Sequence, residues 1–168
     1  YYHRGQVHFI LGEFEAAMSD YSKSTSLDDT FIFSQVQHAV ASYKLGNIAR
    51  STAEFCRILK KFSDSSESYN YFGELMLDQQ RHEDAVANFD KSIALEQAKP
   101  KGKNVLPMIN KALVLFQWKQ DLTGAEQLCR DALRIDPDCD VAIATLAQLS
   151  LQQSKIPEAI EYFRKSAD

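Results

Sequence analysis

Apolar and small residues recur along this chain in blocks with helical spacing. Between Tyr69 and Glu96, the residues Tyr69, Phe72, Gly73 and Met76 fall at i, i+3, i+4 and i+7, so their side chains share one face of a helix. A polar break over Asp78 to Glu83 follows, after which Ala85, Val86, Phe89, Ile93 and Leu95 mark a second helix. The segment predicts a helical hairpin whose two helices approach closely at Gly73 and Ala85, with Phe72, Met76 and Phe89 filling the space beside them. The pattern returns every 34 residues: Gly5, Ala39 and Gly73 form one series, and Ala17, Ser51 and Ala85 another. Steps of 7, 5, 4 and 3 join Gly5, Gly12, Ala17, Tyr21 and Ser24, and again Ala39, Gly46, Ser51, Phe55 and Ile58. They join Gly73, Gln80, Ala85, Phe89 and Ser92, and finally Ala147, Ser154, Ala159, Phe163 and Ser166. A single hairpin cannot bury both of its faces, so consecutive hairpins are expected to stack.

A helix-turn-helix of 34 residues, with small residues in mid-helix and an aromatic four after the second-helix alanine, resembles the tetratricopeptide repeat. The expected fold is all-α, a right-handed α-solenoid of antiparallel helix pairs. One array is expected over 1–168, with units at about 1–30, 31–64, 65–98, 105–138 and 139–168. Gly12 and Gly46-Asn47 are expected to turn the chain through a left-handed residue. Asp64 with Glu67 three residues later has the spacing of a capping box. After Leu95 the period slips by six residues, about five in the loop Gln97 to Asn104 and one near Gln120 to Gly124. Pro107 suits a first helical turn. Tyr1 already lies inside the first helix pattern and no Met precedes it, so a fragment of a longer chain is expected.

Composition narrows the function classes. The chain has 168 residues, 45% hydrophobic and 25% charged, enough for a sizeable core. Net charge is −4 with Lys and Arg scattered, which argues against nucleic acid as a partner. Cys56, Cys129 and Cys139 show no CxxC spacing, so neither disulfides nor a metal site is expected. No apolar run reaches the roughly 18 residues of a membrane span. His3 and His8 are five apart, off the i, i+4 face of a helical metal pair, and His38 falls on a packing face. Glu13, Glu15, Glu83 and Asp84 stand at turns or helix starts, where they favour the helix dipole. The cysteines have no histidine partner in the pattern, and there is no Gly-rich phosphate loop, so no catalytic residue and no cofactor is expected.

Several local strings go beyond the repeat: Tyr1-Tyr2-His3-Arg4-Gly5-Gln6, Lys60-Lys61-Phe62, Leu77-Asp78-Gln79-Gln80 and Gln117-Trp118-Lys119-Gln120-Asp121-Leu122. In this order they resemble the C-terminal repeats of the seventy-kilodalton receptor family of the mitochondrial outer-membrane translocase, the TOM complex. The resemblance implies a receptor on the cytosolic face of the outer membrane. Its partners would be mitochondrial precursor proteins with internal targeting signals, such as hydrophobic inner-membrane carriers, and other translocase subunits. Chaperones would dock on repeats of the parent protein outside this chain, and the membrane anchor would also lie outside it.

In a stacked array the first helix of each unit lines the concave surface. The groove positions expected there are Tyr2, His3, Gln6, Phe9 and Ile10 in unit one, and Phe33, Val36, Gln37, Val40 and Tyr43 in unit two. Unit three supplies Asn70, Tyr71, Glu74, Leu77 and Asp78, and unit four Leu106, Ile109, Asn110, Leu113 and Phe116. An exposed apolar strip of this kind marks an interaction surface. On this reading Val40→Asp or Tyr43→Ala weakens binding of a hydrophobic precursor and leaves the fold intact. Arg4, on a packing face, is expected to pair with a carboxylate or backbone carbonyls. A Lys, Asn and Arg clamp for a chaperone C-terminus is missing from these faces, which carry only Lys44 at the rim. Pattern alone leaves open a structural module that self-associates through exposed array ends, a generic chaperone-adaptor domain, and the recruiting arm of an enzyme whose catalytic domain lies elsewhere.

Overall fold

The computed structural model describes residues 1–167. Among them are ten α-helices and no strand: α1 (Tyr2–Ile10), α2 (Phe14–Leu27), α3 (Ile32–Lys44), α4 (Ile48–Lys61), α5 (Ser66–Asp78), α6 (His82–Gln97), α7 (Leu106–Lys119), α8 (Leu122–Ile135), α9 (Asp140–Gln152) and α10 (Ile156–Ala167). The expected all-α architecture of helical hairpins is what the chain forms. Two compact units divide it within α5, one of Tyr1–Tyr71 and one beginning at Phe72.

The first unit packs α1 on α2, α2 on α3 and α3 on α4. Ala17, Tyr21, Ala39 and Phe55 are wholly buried in it. Gly5 permits this closeness, because a Cβ there would lie 2.7 Å from the Tyr21 ring. Where the small position is serine, its hydroxyl is satisfied: Ser51 Oγ donates to the carbonyl of Ala39 at 2.7 Å. In the second unit a Cβ on Gly73 would lie 2.6 Å from the Phe89 ring, which is wholly buried with Met76, Ala85 and Val114. Farther along, Ala112, Ala125 and Cys129 pack with Leu146 and Leu149, while Val105, Met108 and Ile109 pack with Ala132 and Ala142. Phe163 departs from its series: Tyr21, Phe55 and Phe89 are buried, but its ring is exposed. Among the described residues α10 packs mainly on α9, with Tyr162 also reaching the cluster around Ala125 and Cys129 of α8.

The hairpin turns share one geometry. Gly12 and Gly46 have φ of +79° and +87°, and Gln80 and Ser154 occupy the same left-handed region at +61° and +58°. Each closes its helix with two backbone bonds; after α5, Gln80 N–H reaches Leu77 C=O and Arg81 N–H reaches Met76 C=O. After α7 the left-handed residue is Gln120, and Asp121 N–H bonds Leu115 C=O, six residues back instead of five. That is the extra residue expected near Gln120. The other extra residues form a loop tied down by Glu96, whose carboxylate accepts from the Asn104 N–H at 2.9 Å and from Lys99 Nζ at 2.8 Å. Across the α6–α7 junction, the Trp118 indole stacks on His82 with ring centroids 5.6 Å apart.

Two local expectations are refined. The hydroxyl capping α5 belongs to Ser65, which accepts from the Ser68 N–H at 3.3 Å, in place of the expected Asp64. Arg4 does pair with a carboxylate, through Nε to Asp20 Oδ2 at 2.8 Å and Nη2 to Oδ1 at 2.6 Å. The side chain withdrawn from water is nevertheless Asp20, at 7% exposure, while Arg4 keeps 64%. A long side chain on a packing face has snorkelled to the surface and holds a buried acid.

That arrangement makes stability depend on pH. The Arg4 hydrogen bonds hold the Asp20 carboxyl below the usual carboxylate range, against the opposing effect of burial. Its stabilisation is complete above the ordinary Asp pKa of about 3.9 and is lost as pH falls through the lower folded-state value. Arg4→Leu leaves the same carboxylate buried with His8 Nε2, 3.8 Å away, as its nearest cationic partner, so its pKa rises and the variant's deficit is relieved by protonation. Thermal melts of both proteins from about pH 7 to about pH 3 should show a large gap in melting temperature that narrows on acidification. A gap independent of pH would mean that Arg4 acts only through packing.

Candidate functional site

The first helices of the repeats carry the expected groove residues, and the structure sorts them by angle. At about 100° per residue, the position three before the small residue of each repeat is only about 60° from it around the helix. Val36 and Ile109 occupy that position and are 1% exposed, and Asn70 is also buried. They belong to the core and not to an open face. Val40 is 8% exposed and is corrected likewise; Val40→Asp would put a charge into packed apolar surroundings and unfold the protein.

In the first unit the remaining positions are partly engaged. The Tyr2 ring meets Phe31 edge-on at 5.0 Å, and Phe31 in turn meets Phe33 at 5.7 Å. Gln6 Nε2 donates to Tyr2 Oη at 3.0 Å, and its Oε1 lies 3.3 Å from His3 Nδ1. Phe9 packs on Phe14 at 5.2 Å, within its own hairpin. Ile10 is widely exposed, while Gln37, Tyr43 and Tyr71 are half-buried. Burial, with Tyr71 nearby, raises the pKa of Tyr2; burial followed by Tyr2, Asp20 and Tyr71 pushes that of Tyr21 up to about 12. Neither phenol is a base or nucleophile near neutral pH.

The second unit has an open cavity of about 250 Å³ between α7 and α9. From α7 it takes Leu113, Phe116 and Gln117. From α9 it takes Thr145, Gln148, Leu149, Leu151 and Gln152. Beside it, Asn110 Nδ2 donates to Glu74 Oε1 at 3.0 Å. Leu77 instead lies against the cluster of Met76, Ala85, Phe89 and Val114, while Asp78 and Leu106 are exposed. Expected groove positions Leu113 and Phe116 are thus brought together, but the α9 side was missed. Stepping from Ala147 as from Gly73 would have named Thr145, Gln148, Leu151 and Gln152.

The lining of this cavity is apolar and uncharged. Leu113, Phe116, Leu149 and Leu151 offer apolar contact, and three glutamine amides supply donors and acceptors without charge. Its volume falls below the ~300–1,000 Å³ of a small-molecule site, leaving room for side chains of a docked segment. The Cys129 thiol beneath is pushed up to about 12 by burial, the reverse of an activated nucleophile. No group of three or more His, Cys, Asp or Glu able to hold a metal occurs among the described residues.

The hairpins and their small-residue contacts define a tetratricopeptide-repeat protein, and a family model of that repeat matches residues 1–31. Known relatives narrow the kinship. The chain is homologous to the mitochondrial import receptor subunit TOM70, with 31% identity to that of Mus musculus over 173 residues, covering 99% of this chain. Identity to TOM70 of Saccharomyces cerevisiae is 34% over 172 residues, covering the whole chain. The chain spans 28% of the length of these curated relatives. The crystal structure of yeast Tom70 superposes over all of this chain and 35% of its own, with a TM-score of 0.91 and 33% identity. Pseudomonas aeruginosa pilF, 18% identical with a TM-score of 0.81 over 99% of this chain and 73% of its own, shares the fold alone.

Proposed function

We propose that this chain is the precursor-binding repeat region of a mitochondrial import receptor, working at the cytosolic face of the outer membrane. Its ligands are hydrophobic precursor segments with internal targeting signals, of the carrier type, which it passes to other translocase subunits. The observation that carries the reading is the α7–α9 cavity: exposed Leu151 and half-buried Leu113 and Phe116 framed by neutral amides, on first helices of successive hairpins. Homology to TOM70 supports the receptor role. Among the described residues no helix is long and apolar enough to cross a membrane.

The test is a titration of the chain with peptides tiled through a multi-spanning carrier precursor. Apolar segments should bind saturably, with little change on raising salt, because the cavity rim is uncharged. Affinity that collapses with salt, or no preference for apolar peptides, would sink the proposal. Binding of the chain only to itself would favour a self-association module.

A further inference from the structure

The first unit contains a larger concavity of a different character, about 590 Å³, on the side formed by the second helices. One wall is α4, which presents Arg50, Glu54, Arg57 and Lys61 at i, i+4, i+7 and i+11, a single helical face. The other is α2, with the hydroxyls of Ser22, Thr25 and Ser26. Gln35, His38 and Ile58 complete the lining. Three permanent cations face one carboxylate here, in a chain whose net charge is −4.

Glu54 is already committed. Its side chain, 9% exposed, takes His38 Nδ1 at 2.8 Å on one oxygen and Arg50 Nε at 2.9 Å on the other. It anchors the floor and takes up Arg50 Nε, leaving Arg57 and Lys61 unneutralised by it. Lys61 reaches Asp29 at 2.9 Å, an exposed pair that a competing anion displaces cheaply. Arg57 is exposed and makes no hydrogen bond or ion pair among the described residues. Its free guanidinium fork suits bidentate contact with a carboxylate or phosphate.

We infer that this cavity binds an acidic protein segment in extended form, its carboxylate or phosphate groups lying along Arg57, Lys61 and Arg50. Carboxylates on alternate residues of an extended chain are about 6–7 Å apart. Arg57 and Lys61, one helical turn apart, are separated by about 6 Å along α4. Opposite, the Thr25 and Ser26 hydroxyls donate to the carbonyls of Tyr21 and Lys23 and remain able to accept from the backbone N–H groups of such a chain. No Phe, Tyr or Trp lines the cavity and the His38 ring is held by Glu54, so the stacking platform of a single-stranded nucleic-acid site is missing.

The experiment is fluorescence polarisation of the chain with short labelled peptides carrying alternating glutamates, alternating phosphoserines, or alternating glutamines. Both acidic peptides should bind and the glutamine peptide should not. The stronger of the two identifies carboxylate or phosphate as the preferred group. Affinity should fall steeply with added salt and drop about tenfold or more in Arg57→Glu and in Lys61→Glu. Both sites are exposed, and circular dichroism would verify the fold; Arg57→Gln, expected to lose less, is the milder second variant. Leu151→Asp, in the apolar cavity, should leave this binding unchanged, which separates the inference from the receptor proposal. Equal binding of the glutamine peptide, indifference to both charge reversals, or tighter binding of a labelled oligothymidylate would each overturn it.

Discussion

Phe89→Ala is expected to cost about 3–5 kcal/mol, measured as a drop in melting temperature or in denaturation midpoint. The ring is wholly buried and rests on the backbone of Gly73, with Met76, Ala85 and Val114 around it. Removing it opens a cavity that four helix-borne neighbours cannot collapse into without breaking their own contacts. Ala85→Leu, at an equally buried site, should overpack the same junction by about 1–3 kcal/mol. Asn88→Leu on the same helix should be nearly neutral, since that side chain is only half-buried and bonds only the Asp84 carbonyl. The decisive measurement is a double-mutant cycle. Gly73→Ala alone drives a methyl into the Phe89 ring and should destabilise. In the Phe89→Ala background the same methyl enters vacated space and gains helix propensity of up to about 1 kcal/mol, so its sign should reverse. Additive effects would show that the two residues do not oppose each other.

Leu151→Asp should abolish most binding of an apolar precursor peptide while shifting the melting temperature little. The residue is 47% exposed and stands on the α9 wall of the cavity, so the fold does not depend on hiding it. Burying a leucine side chain against a ligand contributes about 1.5–3 kcal/mol, and an aspartate there loses that and adds desolvation. The expected loss is about 10- to 100-fold in affinity, read by titration calorimetry. Leu113→Asp on the facing wall should behave alike but with some loss of stability, because Leu113 is half-buried. Full affinity in both variants would remove the cavity from the binding surface. In contrast Val40→Asp should lose binding only in step with folded protein.

The contrast between Leu151 and Val40 shows where the sequence was legible. Hairpins could be read because small residues at fixed steps leave few other ways for two helices to meet: Gly73 falls 34 residues after Ala39, and Ala85, rather than nearby Ala87, falls 34 after Ser51 and four before Phe89. Facing directions were harder. Val36 and Ile109 look like surface apolar residues on a linear pattern, but their angle around the helix turns them toward the neighbouring hairpin. The α9 wall was missed although the same step from Ala147 pointed to it. Ser65 replaced Asp64 as cap because adjacent short polar residues can each bend back to the amide three or four residues on, and only the backbone path decides between them. The basic face of α4 was hidden by the chain's overall negative charge; Arg50, Arg57 and Lys61 look scattered until their numbers are read as positions on one helix.

The stacked Trp118 and His82 pair gives this protein an optical property of its own. Trp118 is the chain's one tryptophan, and its ring lies 12° from the imidazole plane, with Lys119 Nζ 4.7 Å from its centroid. Two residues before it on α7 comes Phe116, which lines the apolar cavity. Intrinsic emission therefore comes from a single site whose surroundings are set by the α6–α7 junction. A segment docking against Phe116, or a hinge opening between those helices, alters the polarity and quenching around one indole, so occupancy and local opening can be followed without attaching a dye.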